Sequence, residues 1–414
     1  MTIQRTVLDN GIVVIAVENS AADIIASRIF LRVGSQCEPL EKIGLSHLLS
    51  AVVTKGTEQL SSIEIAERVE SEGAYLSTDA TNDYFVLSLK TVSTDWHEML
   101  ELAGEILLYP SFPESEVELE KQLTIQGIRS QKEQPFTVAY EQLRRVIYPN
   151  HPYGISILGT EATVSSLNPT DLKMYHQTHF HPNNMVISIA GCITSEEAVE
   201  QVKRVFGDWQ PTEILPAKPQ LSSLTSHPCQ VTTPQETQQS IVMLGYLASS
   251  VQEKDYATLK LLSTYLGNGL SSRLFVELRE KRGLAYDVSA LYPTRQLASI
   301  FAAYIGTAPE NTEIAFDGLR TEVERLGTTL LSSEELQTAK NKLLGQYALG
   351  KQTNAQLAQI YGWYETLGLG IEFDLQFQQD VAQVTPTEAQ AVAQRYLIEP
   401  YVSLVGPDEA INRR

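Results

Sequence analysis

The stretch "GLSHLLSAVVTKGT", residues 44–57, sets a single histidine, His47, in an apolar run. On a helix, a histidine and a second ligand four residues later share one face and can grip a metal ion between them. Here the second position is Ala51, and Ser50 stands where a carboxylate could act as a base. One histidine alone holds a metal poorly, and without a base nothing would activate water. His47 therefore reads as a partly buried, hydrogen-bonded histidine kept by its helix. A denser group, His176, His179 and His181 in "YHQTHFH", has the i, i+3, i+5 spacing that invites a metal. Histidine-rich composition by itself is only suggestive. The three cysteines, Cys37, Cys192 and Cys229, lie too far apart to form a metal-binding pair and read as reduced thiols.

The elements that must position these residues occur twice. "LNPTDLKMYHQTHFHPNNMVISIAG" (167–191) and "VTPTEAQAVAQRYLIEPYVSLVG" (384–406) share one plan. Each opens on Pro-Thr and an acid, where the Thr or the residue before Pro can cap a helix, and each ends on a β-branched strand closed by glycine. "IAERVESEGAYLSTD" and "FVELREKRGLAYDVS" form a second pair in the same order, each an amphipathic helix, a glycine stop and a strand. At 414 residues the chain exceeds one ordinary core, so a tandem duplication of an α+β unit follows.

The N-terminal "MTIQRTVLDNGIVVIAVEN" alternates around Asn-Gly and predicts a hairpin, with neither a charged leader nor a continuous apolar run. Residues 208–228 hold four prolines in a polar setting and read as a semi-rigid linker. The expected domains are 1–210 and 229–414, joined through 211–228. Each should be a sheet with helices packed on one face, the two forming a clam-shell around a cleft.

Composition narrows the functional classes. A net charge of -19 argues against nucleic acid and anionic membrane surfaces, which select for basic patches. No stretch is long and apolar enough to span a bilayer. With sparse cysteines, the expected location is the cytoplasm.

In this frame the chain resembles the inverted-zincin peptidases of the pitrilysin and mitochondrial processing peptidase family. The resemblance rests on "GLSHLLSAVVTKGT", "FPESEVELEKQLTIQGIRSQKEQP", "HPYGISILGTEATVSSL", "HPNNMVISIAG" and "LSSRLFVELREKRGLAYDV", in that order along essentially the whole chain. The family signature is H-x-x-E-H with a distant glutamate as third zinc ligand. Its first histidine matches His47; its base falls on Ser50, its second histidine on Ala51 and its third ligand on Gly127. Gln126 beside it is a poor zinc ligand, and Glu120 lies two turns away. The resemblance thus implies a degenerate member that holds no zinc. The family frame also places the "YHQTHFH" histidines where a helix gives way to a strand, away from the expected active site, and gives His151 in "HPYG" a structural turn. The family's edge-strand Asn-Ala becomes Ser77 and Thr78, a further departure.

In the second half the resemblance implies a role for Arg279 and Tyr286, seven residues apart, as contacts to substrate near the scissile bond. Arginine offers a fixed fork of donors and a phenol can donate to a developing oxyanion. From spacing alone, "REKR" is equally a solvated face and Tyr286 an ordinary strand residue. The Gly-Asn-Gly of "YLGNGLSSRLF" (265–275) is either a flexible segment near the cleft or a plain helix-capping turn. The leading expectation is a non-catalytic subunit of a heterodimeric zinc metallopeptidase acting on unfolded peptides. Zinc would reside in a homologous partner carrying the intact motif. The alternative is a structural or peptide-binding homologue, as a homodimer or scaffold subunit, with no part in proteolysis.

Overall fold

The computed structural model describes residues 2–211 and 224–412. Most of the expected linker, residues 212–223, lies outside the described residues. The chain forms two compact α+β units, and neither is continuous in sequence. The first takes the chain up to Ile128, the stretch onward from Ser156, and Leu349–Asp374. The second takes Arg129–Ile155, the stretch ending at Ala348, and the chain from Leu375 onward.

The first unit holds a six-stranded sheet. Its strands are β1 (Thr2–Val7), β2 (Val13–Glu18), β3 (Ile24–Leu31), β4 (Tyr75–Ala80), β5 (Phe85–Val92) and β6 (Met185–Gly191), in the order β1-β2-β6-β3-β5-β4. Only β2 and β6 run parallel; the other neighbours are antiparallel. The predicted hairpin is β1–β2, turned at Gly11 with φ 88°. The second unit has β7 (Gln230–Pro234), β8 (Ser240–Ala248), β9 (Asp287–Leu291), β10 (Ser299–Thr307) and β11 (Tyr401–Gly406), in the order β7-β11-β8-β10-β9. Again one pair, β7 and β11, is parallel. Removing β1 from the first sheet leaves the same order and the same directions. The first sequence match lands on β6 and β11, the second on the edge strands β4 and β9. The duplication read from the sequence is therefore a duplication of topology.

Local chemistry explains these elements. Helix Pro169–His179 is capped by Asn168, whose side chain accepts the N–H groups of Thr170 and Asp171 while Asp171 bonds back to the Asn168 amide. The Thr385 hydroxyl accepts the Glu388 N–H at the start of helix Pro386–Tyr396. In both repeats the residue before proline is the cap, and proline supplies the pre-set first turn. Gly73 and Gly283 stop their helices at φ 58° and 62°, where a side chain would be strained although the space around each is open.

The sheets are covered on both faces, which the single-face expectation does not anticipate. Along β3, Ile25, Ile29 and Leu31 join a core with Leu48, Leu49, Val52, Trp96, Leu100 and Ile187. The alternate residues face helix Asn354–Thr366, drawn from the second half of the sequence. Arg28 bonds Gln359, Asn354 bonds the Ile24 carbonyl, and Arg5 makes a two-pronged ion pair of 2.9 Å with Glu365. Close approach needs Gly362, where an added Cβ would meet the Phe30 ring at 2.5 Å. The second unit mirrors this arrangement with helix Pro135–Ile147, drawn from the first half. Its Ala139, Leu143 and Ile147 pack on Ile241, Met243, Ile300 and Val405. Gly245 makes the space, since a Cβ there would meet Leu143 and Ile147 below 3 Å. Each half of the sequence lends the other half's sheet one helix.

Candidate functional site

Helix Leu45–Val52 carries the degenerate motif in the first unit. Its start is capped from a distance: the Glu38 carboxylate accepts the N–H of Gly44 at 2.9 Å and of Ser46 at 2.6 Å. Burial pushes the Glu38 carboxyl up to about 7, against the pull of those donors. Gly44, at φ 99°, abuts the Leu158 carbonyl, where a Cβ would come within 2.7 Å.

His47 is partly buried, and desolvation depresses its pKa although Asp79 on β4 and Glu120 act to raise it. The hydrogen bond expected for its ring is not present among the described residues. Ser50 turns its hydroxyl back onto the His47 carbonyl at 2.7 Å, and its own carbonyl accepts from Thr78 on β4 at 2.6 Å. That hydroxyl is committed to the helix. Gly127 lies on helix Glu114–Lys132, and a Cβ at this position would have no atom within 4 Å. The position that the resemblance assigns to the third ligand thus has room for a side chain and carries none. Glu120, two turns from Gly127 on the same helix, has a partner: Lys55 Nζ lies 3.3 Å from its carboxylate. A cation of the chain compensates this carboxylate. Nothing in the sequence spacing of Lys55 and Glu120 signals that pairing.

These donors do not fit a zinc ion. His47 is one imidazole, Ser50 is bonded elsewhere, Ala51 has no donor, and Glu120 is paired with lysine. Among the described residues no group of three or more His, Cys, Asp or Glu is placed to hold a metal.

The "YHQTHFH" histidines diverge, as the change from helix to strand implies. His176 donates to the Leu107 carbonyl at 2.8 Å, His179 lies against the Tyr175 ring with centroids 4.5 Å apart, and His181 donates to the Thr178 carbonyl at 2.9 Å. Burial lowers both His176 and His179 to about 4. His176 and His181 face a cavity of about 500 Å³ that also has Lys173, Tyr109 and Trp209 in its wall. His151 accepts the Tyr153 N–H at 3.1 Å on Nδ1 and is buried in its turn.

In the second unit, Arg279 lies in a π-helical turn, Phe275–Glu280, with its guanidinium over the Phe275 ring at 5.1 Å. Tyr286 precedes β9, its amide bonded to the Gly306 carbonyl at 2.8 Å and its side chain 60% exposed. Among the described residues neither the guanidinium nor the phenol makes a hydrogen bond, so both keep their donors free.

Comparison with known proteins agrees with this architecture. The family profile described as "Insulinase (Peptidase family M16)" matches residues 13–161, and "Peptidase M16 inactive domain" matches residues 166–343. An uncharacterized zinc protease of Bacillus subtilis, YmxG, is 27% identical over 86% of this chain and 87% of its own. An uncharacterized zinc protease of Streptomyces coelicolor is 25% identical over 98% and 90%. Among solved structures, a peptidase M16 inactive domain from Pseudomonas fluorescens superposes with TM-score 0.91 at 23% identity, covering 98% of both chains. A protease from Helicobacter pylori gives 0.93 at 22%, covering 98% of this chain and 100% of that one. Two units of duplicated topology, two adjoining profiles and full-length superposition converge: the chain has the fold of the M16 insulinase peptidase family, with no metal-binding cluster among its described residues.

Proposed function

We propose that this chain is an inactive M16 homologue that serves as a structural or peptide-binding protein. One observation carries the reading: where the family motif needs two histidines, a base and a glutamate, this helix pair offers His47, Ser50, Ala51 and Gly127, with Glu120 bonded to Lys55. Peptide-like ligands follow from the family. Extended peptides add to a sheet edge, and at the edge strand β4 the departures Ser77 and Thr78 support a first unit that no longer holds peptide in the family's usual way. Free cysteines fit a cytoplasmic setting. The test is metal content and turnover of the purified chain. After zinc loading and dialysis, elemental analysis should find far less than one zinc per chain, with no cleavage of a mixed peptide pool. Stoichiometric zinc with chelator-sensitive cleavage would overturn the proposal.

A second reading is favoured by the exposed Arg279 and Tyr286, whose donors are unspent. In it the chain is the non-catalytic subunit of a heterodimeric zinc peptidase, the partner carrying zinc and base. A native pull-down would then recover a homologue with intact H-x-x-E-H. Arg279→Ala or Tyr286→Phe should lower cleavage by that complex by a factor of about 100 to 1,000. Assembly should be unchanged, since both side chains are exposed. Wild-type cleavage by both variants would remove the pair from the chemistry; a homodimer or unrelated partners would return the chain to the first reading.

A further inference from the structure

The segment from Arg279 to Tyr286 is tied down along its length. The Gly283 N–H donates to the Arg279 carbonyl at 3.1 Å and the Leu284 N–H to the Leu278 carbonyl at 2.8 Å. These two bonds close the turn that carries the Arg279 guanidinium, and Gly283 makes the closure in the left-handed region, at φ 62°. The Leu284 carbonyl then accepts the Thr307 hydroxyl at 2.7 Å. The Tyr286 N–H donates to the Gly306 carbonyl at 2.8 Å. Thr307 is the last residue of β10 and is fully buried. The other ties run from backbone to backbone, so the Thr307 hydroxyl is the one that a substitution can remove.

The tie at Tyr286 departs from the ladder. β9 pairs with β10 so that Asp287 stands opposite Gly306, Val288 opposite Ile305 and Ser289 opposite Tyr304. Because Tyr286 also bonds Gly306, two residues of this strand face one of β10, which is a β-bulge. Strict alternation would send Tyr286 to the side of Val288, which is buried opposite Ile305. Tyr286 is exposed instead. On the other side of the strand, the Asp287 carboxylate accepts the Tyr304 hydroxyl at 2.9 Å. The bulge re-aims one side chain, and Thr307 fastens the chain immediately before it.

We propose that Thr307 is a positioning residue. By holding the Leu284 carbonyl, its hydroxyl locks the bulge to the preceding turn and so sets where the Tyr286 phenol and the Arg279 guanidinium point. Stabilisation of a developing oxyanion depends on donors fixed in advance, and a loosened segment would forfeit that geometry. Valine would fill the same space but leave the Leu284 carbonyl without this donor. The inference rests on the second reading above, in which the pair contacts substrate in a complex with a zinc-bearing homologue.

The test compares Thr307→Val, Thr307→Ser, Arg279→Ala and Tyr286→Phe in the full chain, alone and in the complex recovered by native pull-down. In the chain alone, hydrogen exchange at residues 283–287 should quicken about fivefold to tenfold in Thr307→Val, the effect of one lost hydrogen bond, and stay near wild type in Thr307→Ser. In the complex, Thr307→Val should lower kcat about tenfold to a hundredfold with KM changed by less than about twofold, and Thr307→Ser should keep kcat. A merely structural role would move the yield or the melting temperature and leave kcat per assembled complex unchanged. If Arg279→Ala and Tyr286→Phe slow cleavage but Thr307→Val does not, the proposal fails and the pair keeps its role. If all three cleave at the wild-type rate, or no zinc-bearing partner is recovered, the reading of the pair fails and takes the proposal with it. Unchanged exchange in Thr307→Val, or equal losses in Thr307→Val and Thr307→Ser, would also overturn it.

Discussion

Burial keeps the imidazoles of His176 and His179 neutral down to about pH 4, well below the ordinary value of 6.5. An unfolded chain takes up these protons near 6.5, so lowering the pH through that window favours unfolding. Stability should hold above pH 6.5, fall steadily towards 4, and level off below it as far as these groups are concerned. His176 alone accounts for a loss on the order of 2–3 kcal/mol. His176→Phe removes the bond to Leu107 and should cost about 1 kcal/mol at neutral pH, yet give a shallower acid slope. Urea unfolding at pH 7, 5.5 and 4 reads both effects, and an unchanged slope would show that His176 titrates normally. At this scale the sequence was informative about what is missing: Ser50, Ala51 and Gly127 could be read directly against the motif. It was silent on what replaces it. The pairing of Lys55 with Glu120 and the capping of Gly44 and Ser46 by Glu38 join residues with no periodic relation, so only the folded chain reveals them.

Among the elements, caps and stops were legible because they depend on neighbours in sequence. Asn168, Thr385, Gly73 and Gly283 act within a few residues of themselves. The exchanged helices were not legible. Asn354–Thr366 and Pro135–Ile147 show the apolar spacing of any packed helix, and spacing cannot say which sheet receives it. Two glycines make the difference measurable. Gly362→Ala would press a Cβ into Phe30 and Ser188 and should destabilise by roughly 2–3 kcal/mol, the cost of overpacking a filled core. Gly127→Ala meets nothing within 4 Å on helix Glu114–Lys132 and should stabilise by up to about 1 kcal/mol through helix propensity. Thermal melts of the two variants should shift in opposite directions; a shift of one sign for both would contradict this packing. The free space at Gly127 also allows a constructive test of lost chemistry. The triple variant Ser50→Glu, Ala51→His, Gly127→Glu restores a two-histidine, one-glutamate ligand set, and should retain about one zinc per chain where the parent does not. Failure to do so would mean that more than ligands has been lost.

For the whole molecule, the noncontiguous units set a limit on dissection. A fragment ending at residue 210 keeps all six strands of the first sheet but lacks helix Asn354–Thr366, leaving Phe30, Val186 and the pair Arg28 and Arg32 without their cover. It should bind hydrophobic dyes and aggregate, and co-expression with 211–414 should restore a soluble complex. A monomeric fragment 1–210 with a cooperative melt would sink this expectation. The sequence showed that the chain is a duplication and where the copies correspond; it did not show that the copies complete each other, because homology between halves carries no information about exchange between them. That exchange also imposes a timetable on synthesis. When the last strand of the first sheet leaves the ribosome, the helix that closes it is still roughly 160–175 residues from being made, which at about 5–20 residues per second is a delay of about 10–30 s. Through that interval the nascent first sheet would have one finished face and one open face, on which Phe30 and Val186 stand beside the unpaired Arg28 and Arg32, a natural client for a chaperone that shields exposed strands until translation catches up.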